Sequence, residues 1–479
     1  MLRLTWVQPE DLLGHELRQA AEDGREPWAI AARWRSAGGL EAPDRAGASP
    51  TRASRYLRQL AEDLLDELAD LPSRFAEDEP TDWERIVLSC GPPGRRGDGG
   101  PPGGPAVGGG VPPRRASDPP SAAAPTRARL EAAWLGRAVG CLLGKPVEKL
   151  PLDVIRTLAR STGNWPLNAY FTTLGVPPEL LDAHPWNRRS ATSSLAENID
   201  GMPEDDDLNY PLLNLLLLQR HGRAFTTTDV ARVWLDELPA GRTFTAERVA
   251  YRNLLSGIEP PHTARHRNPF REWIGALIRA DVHGWTNPGD PAAAAEQAHR
   301  DATLTHTANG VYAAMFTAAT IATAATGRHD VHTCLRTGLT VVPPRSRLAK
   351  ALTHAIRLAH SHEDFDTVVD ELHLTHKKAH WVHAVPNTAL IAAALTHADG
   401  DFTGSICRAV SGGWDTDSNG ATTGGIAALL TGDPAALPDR WTAPLKNRLA
   451  TSVAGFDGTG FDALAHLTWS LTHREASRP

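Results

Sequence analysis

Cysteine, methionine and tyrosine are scarce, at four, three and five residues in a chain of 479. Cys90, Cys141, Cys334 and Cys407 form no CxxC and no paired spacing, so neither a zinc site nor a disulfide framework is indicated. The start, Met1-Leu2-Arg3-Leu4-Thr5-Trp6, lacks the basic-then-apolar layout of a secretory signal. With scattered thiols, that makes a reducing cytoplasm the expectation. An excess of basic residues is also missing, since the formal charge is −7. Phosphate backbones are held by clustered basic faces, so no specific nucleic-acid partner is expected. No apolar run reaches the length of a membrane span, so no membrane partner is expected either. Alternating strand patterns joined by hairpin turns are nearly absent.

What is present is helical texture. At 41% hydrophobic and 22% charged, the composition is that of an ordinary globular protein. The length allows two or three domains. Residues 1–90 carry apolar residues at helical spacing over 11–17 and 56–65, which predicts a small helical unit. Residues 91–125 contain ten glycines and ten prolines, a composition expected of a disordered linker. Residues 126–473 read as one domain made of successive helices, many rich in alanine. Periodicity marks them at 130–143, 208–219, 309–325, 349–361, 388–396, 403–410 and 421–430. The predicted fold class is therefore all-α, a compact multi-helix domain behind a helical N-terminal unit.

Two acidic clusters stand against these apolar helices. One is Glu204-Asp205-Asp206-Asp207, just before the run from Leu208 to Leu218. The other is Asp415-Thr416-Asp417-Ser418, preceded by Gly412-Gly413-Trp414 and followed by a small-residue helix. Asp415 to Gly420 matches the first half of an EF-hand loop, but the twelfth position is Ile426 where that loop needs glutamate. Helix capping would use one such side chain, and the helix dipole favours one or two acids in a first turn. Four adjacent carboxylates repel, and more so when buried. Hard divalent cations with oxygen ligands relieve that repulsion, so the two clusters together form a two-metal candidate. A third element runs from Gly136 to Glu148. Gly136, Gly140 and Gly144 share one helix face, Pro146 ends the helix, and Glu148 lies on the exit loop.

In this order the three elements resemble the ADP-ribosylglycohydrolase family, over roughly residues 127–432. The most specific piece is Gly412-Gly413-Trp414-Asp415-Thr416-Asp417-Ser418-Asn419, close to the family's Gly-Gly-Asp-Thr-Asp-Thr/Ser-Asn with a tryptophan inserted. Glu204 and Asp207 stand where the family has threonines, and Cys141 stands where it has aspartate. The resemblance implies a pair of Mg²⁺ or Mn²⁺ ions held by Glu204, Asp205, Asp206, Asp207, Asp415, Asp417 and Ser418. It places Glu148 where members have a functional glutamate, and Glu148 or Asp206 as the group that accepts a proton. It puts His306 near the ribose. Helix N-termini in the glycine-rich segments, with Gly412 and Gly413, would receive the diphosphate, and Trp414 offers a face for the adenine.

The activity so implied is metal-dependent hydrolysis of the glycosidic bond of an ADP-ribosyl group. The partner would be an ADP-ribosylated protein or an ADP-ribose-containing small molecule. Two alternatives stay open. One is a non-catalytic reader of ADP-ribose or a nucleotide with the same fold. The other is a metal-dependent hydrolase of another nucleotide or nucleoside metabolite.

Overall fold

Gly136, Gly140 and Gly144 line one face of the Arg127–Gly144 helix. In the computed structural model, which describes residues 3–91, 125–187 and 190–473, that face meets the Thr416–Thr431 helix backbone to backbone. A Cβ on Gly140 would stand 1.9 Å from the Gly420 carbonyl oxygen, and one on Gly424 would stand 2.1 Å from that of Gly136. Only a hydrogen fits in such gaps. The pairing runs Gly136 to Gly424, Gly140 to Gly420 and Gly144 to Thr416, so the two helices are antiparallel. The C-terminal end of the first therefore abuts the N-terminal end of the second.

Long apolar helices enclose this pair. In the Ala308–Ala324 helix every residue from Asn309 onward is buried, and the Ala384–His397 helix is buried from Ala384 to Thr396. A helix apolar all round belongs in the middle of a large core. Each of the seven segments marked by periodicity falls on a helix, to within one residue. The all-α expectation matches the fold: among the described residues there is no strand, only the isolated bridges Met202–Leu449 and Trp273–His383. No helix among them is long and apolar enough to cross a membrane.

The N-terminal region has four helices, Pro9–Glu22, Trp28–Ser36, Arg55–Asp70 and Trp83–Cys90. Ser54 and Asp82 start the last two by accepting from the backbone N–H groups of Leu57 and Arg85. Leu12, Leu13, Leu64, Leu65 and Leu68 join the apolar core of the larger body. Buried ion pairs cross the seam. Arg271 reaches Glu16 at 2.6 Å and Asp23 at 2.5 Å, and Arg347 reaches Glu79 at 2.7 Å while also holding Glu272, of its own body, at 2.8 Å. Gln19 donates to Glu272 at 2.8 Å. The segment expected to be a linker, 91–125, lies outside the described residues except at its two ends.

Candidate functional site

The antiparallel pair decides where the acids meet. The Arg127–Gly144 helix ends in a short turn, Lys145–Val147, which puts Glu148 just beyond its C-terminus. Asp415 precedes the Thr416–Thr431 helix and Asp417 lies in its first turn, beside that same end. A third helix, Asp206–His221, points its N-terminus at the same spot. Asp205 caps it by accepting from the Asp207 N–H at 2.9 Å. The fully buried Arg137 fixes this helix start. It donates to the Asp207 carbonyl at 2.7 Å, to the Asp207 carboxylate at 3.3 Å and to Asp281 at 2.9 Å.

Glu148, Glu204, Asp205, Asp206, Asp415, Asp417 and Ser418 thereby line one cleft of about 600 Å³. Its acids form two sets. Ligand atoms of Glu148, Asp415 and Asp417 lie within 4.8 Å of one another, and so do those of Cys141, Asp205 and Asp207. In the second set the carboxylates already have partners. Lys145 donates its ammonium to Asp205 Oδ2, and Arg137 holds Asp207, which also accepts from the Ser418 hydroxyl at 3.3 Å. Glu204 sits at the rim, with Arg242 at 2.9 Å and the Ser452 N–H at 3.0 Å. Glu148 accepts from Asn187 at 2.7 Å and pairs with Lys149 at 2.9 Å. No lysine, arginine or histidine of the described residues lies within ion-pair distance of Asp206, Asp415 or Asp417.

Proton affinities follow this division. Burial, together with the charges of Asp205 and Asp417, pushes the Asp206 carboxyl well up. Burial and the Asp417 charge do the same to Asp415. Asp417 is pushed up to about 7 by burial and by Glu148 and Asp205. Burial alone would raise Asp205 as well, but the Lys145 ammonium overrides it and holds that carboxyl below its ordinary value. The Cys141 thiol is pushed up by burial and by the Asp205 and Asp207 charges, which keeps it a thiol. Hard ions do not favour such a group as a ligand. The set Glu148, Asp206, Asp415 and Asp417 offers only oxygen donors, and three of them have no ion-pair partner among the described residues, which suits a divalent ion.

The cleft walls hold residues that sequence reading did not single out. Lys145, Lys149, Asn187, Arg242, Phe244 and Trp381 are among them. Lys145 was within reach, because it follows Gly144 in the glycine element. Asn187, Arg242 and Trp381 come from separate loops and carry no local signal. The N-terminal region also reaches the cleft, through Thr5, Trp6, Arg45 and Gly47. Trp6 is packed edge-on against Phe270 and Trp273, with centroids 5.5 and 6.0 Å away, and Thr5 accepts from Arg248 at 2.6 Å.

Five expected residues are not on the cleft lining. His306 is fully buried, its Nδ1 2.6 Å from the Thr305 hydroxyl and 3.9 Å from Glu247. Burial and the nearby Arg279 charge push its pKa far down, so the ring is neutral. Trp414 faces the other way and stacks on His373 at 4.1 Å and 11°. The Gly412 carbonyl is 2.8 Å from His373 Nε2, and a Cβ on Gly413 would meet Leu152 and His373. Asp207 also points away from the lining, into its bond with Arg137.

The family model described as ADP-ribosylglycohydrolase matches residues 122–476. A solved structure titled an ADP-ribosylglycohydrolase-related protein complex is similar at 21% identity, covering 72% of this chain and 98% of its own, with a TM-score of 0.45. No curated protein matches.

Proposed function

Since the chain belongs to the ADP-ribosylglycohydrolase family, we propose that it hydrolyses, with a divalent cation, the glycosidic bond between an ADP-ribosyl group and its acceptor. The acceptor is a protein or a small molecule. The carrying observation is that Asp206, Asp415 and Asp417 line the cleft with no lysine, arginine or histidine of the described residues within ion-pair distance. Uncompensated buried carboxylates are costly, and a hard divalent ion is the ligand that relieves them. Mg²⁺ or Mn²⁺ bound there supplies orientation of oxygen ligands and a lowered water pKa.

The chain's own groups cover the remaining needs. Glu148, at the edge of the acidic set and held by Asn187 and Lys149, is placed to accept the proton of the attacking water. The water oxygen forms the new bond to the anomeric carbon while the bond to the acceptor breaks. The acceptor keeps the bonding electrons and leaves with a proton, and the sugar passes through an oxocarbenium-like state. Lys149 and Arg242 at the rim offer charge to a diphosphate. Phe244 and Trp381 offer flat apolar faces to a base.

The test is release of ADP-ribose from arginine-, serine- and small-molecule-linked conjugates, with added Mg²⁺ or Mn²⁺. Asp415→Ala and Asp417→Ala are each expected to cost at least about 100-fold, the scale of removing one charge-stabilising group from a site. Undiminished metal-dependent release in both variants sinks the assignment. A second reading, binding without turnover, is favoured by the Lys145 ammonium already seated on Asp205. Calorimetric binding of ADP-ribose with no product from any conjugate would select it.

A further inference from the structure

We propose that Lys145 takes the place of one of the two cations expected at this site, so that the chain binds a single divalent ion. This rests on the metal-dependent reading above and concerns how many ions that reading requires.

The position of Lys145 is built into the fold. It follows Gly144, whose missing side chain lets the helix end press against the Thr416 backbone, where a Cβ would stand 2.2 Å from the carbonyl oxygen. From there the lysine side chain, 9% exposed, runs into the acidic cluster and ends on Asp205 Oδ2. The other oxygen of Asp205 accepts the Asp207 N–H at 2.9 Å. Both oxygens of this carboxylate are thus committed. Asp207 is committed as well, one oxygen to Arg137 at 3.3 Å and the other to the Ser418 hydroxyl at 3.3 Å. The third member of this set is the Cys141 thiol, a poor ligand for a hard ion. An ion entering here would have to displace the ammonium from the carboxylate it holds.

In the other half of the cluster Glu148 is held by Lys149 and Asn187 at its edge, and the aspartates are free of ion pairs among the described residues. Asp415 is 6% exposed, lines the cleft, and has no cation and no N–H donor on its carboxylate among the described residues. With Asp417 and Glu148 it gathers three ligand oxygens within 4.8 Å, and Asp206 faces the same space. That is enough negative charge for one divalent ion. The protein carries its second positive charge as a side chain.

Counting ions tests this. The full-length protein is stripped with chelator, dialysed against Mn²⁺, and assayed for bound metal per chain and for its electron paramagnetic resonance spectrum. The wild type should hold one Mn²⁺ with the spectrum of an isolated ion. Lys145→Ala, which frees Asp205 Oδ2 on the cleft lining beside Asp206, should hold two, with spin coupling between them, and Lys145→Arg should return to one. Two coupled ions on the wild type would overturn the lysine assignment and leave the metal reading intact. One ion on both the wild type and Lys145→Ala would also overturn it, because the second position would then be closed by something else. No ion on any variant would overturn this inference and the metal reading together. The wild-type count needs no substitution, so a variant that fails to fold does not remove the test.

Discussion

Glu272 and Asp415 are both carboxylates sunk in the helical body, 1% and 6% exposed, yet their surroundings are opposite. Glu272 lies at the seam with the N-terminal helices. It holds Arg347 at 2.8 Å and accepts from Gln19 and Asn309 at 2.8 and 2.9 Å. Burial by itself would raise its pKa, but Arg347 outweighs that and keeps the carboxyl well below its ordinary value. Asp415 has no ion-pair partner among the described residues, and burial with the Asp417 charge sends its pKa up. The seam makes its own counter-charges, so its acids are fasteners. The cleft floor leaves part of its negative charge open, which is how a fold reserves room for a charge from outside.

Breaking the seam should give the largest effect. Arg347→Met leaves Glu272 and Glu79 without their guanidinium and should cost about 3–5 kcal/mol, seen as a lower urea midpoint. Asp415→Asn should have the opposite sign in metal-free protein, leaving the midpoint unchanged or raised. A comparable loss in both variants would erase the distinction between the two regions.

Acidity sharpens the contrast further. Asp417 has a folded value of about 7 against an ordinary 3.8, so the folded state holds more protons between those limits. Its contribution is whole below 3.8 and is lost as pH rises through about 7. Glu272 behaves in reverse: its contribution is whole above 4.5 and is lost as pH falls through its lowered value. The melting temperature of metal-free protein should therefore fall as pH approaches neutrality, and Mg²⁺ should restore it there. A neutral-pH melting temperature indifferent to Mg²⁺ would contradict the open-charge reading of the cleft.

The smallest effect belongs to a residue beside the acids but turned from them. Trp414→Leu removes a ring stacked on His373 and should change ADP-ribose affinity by less than about threefold, or ~0.7 kcal/mol. A tenfold loss by calorimetry would return Trp414 to the adenine.

Sequence made legible what repeats at short range. The glycines at 136, 140 and 144, the apolar helical runs and the two acidic clusters follow from residue type and spacing, and they describe the helices and the cleft floor. Side-chain direction and distant pairing were not legible. Lys145 and Asp205 are sixty positions apart, and nothing local joins them. Asn187, Arg242 and Trp381 converge from separate loops, as does Trp6 from the N-terminal region. His306 and Trp414 sit in suggestive stretches, but a short stretch does not tell which way a side chain points. His306 turns into a network with Thr305 and Glu247, and Trp414 turns onto His373.

The glycine-lined helix pair has a consequence for how such a protein can change over time. Contact between carbonyls and bare α-carbons fixes the two helices in register along their length, as a jig holds two parts before joining. Adding one residue between Gly136 and Gly144 would swing Lys145 and Glu148 by about 100° and slide them ~1.5 Å along the axis. The acidic floor would come apart without a single acid being replaced. The loops carrying Arg242, Phe244 and Trp381 are free of that constraint. New substrates can be explored by altering the walls, while the floor is inherited intact.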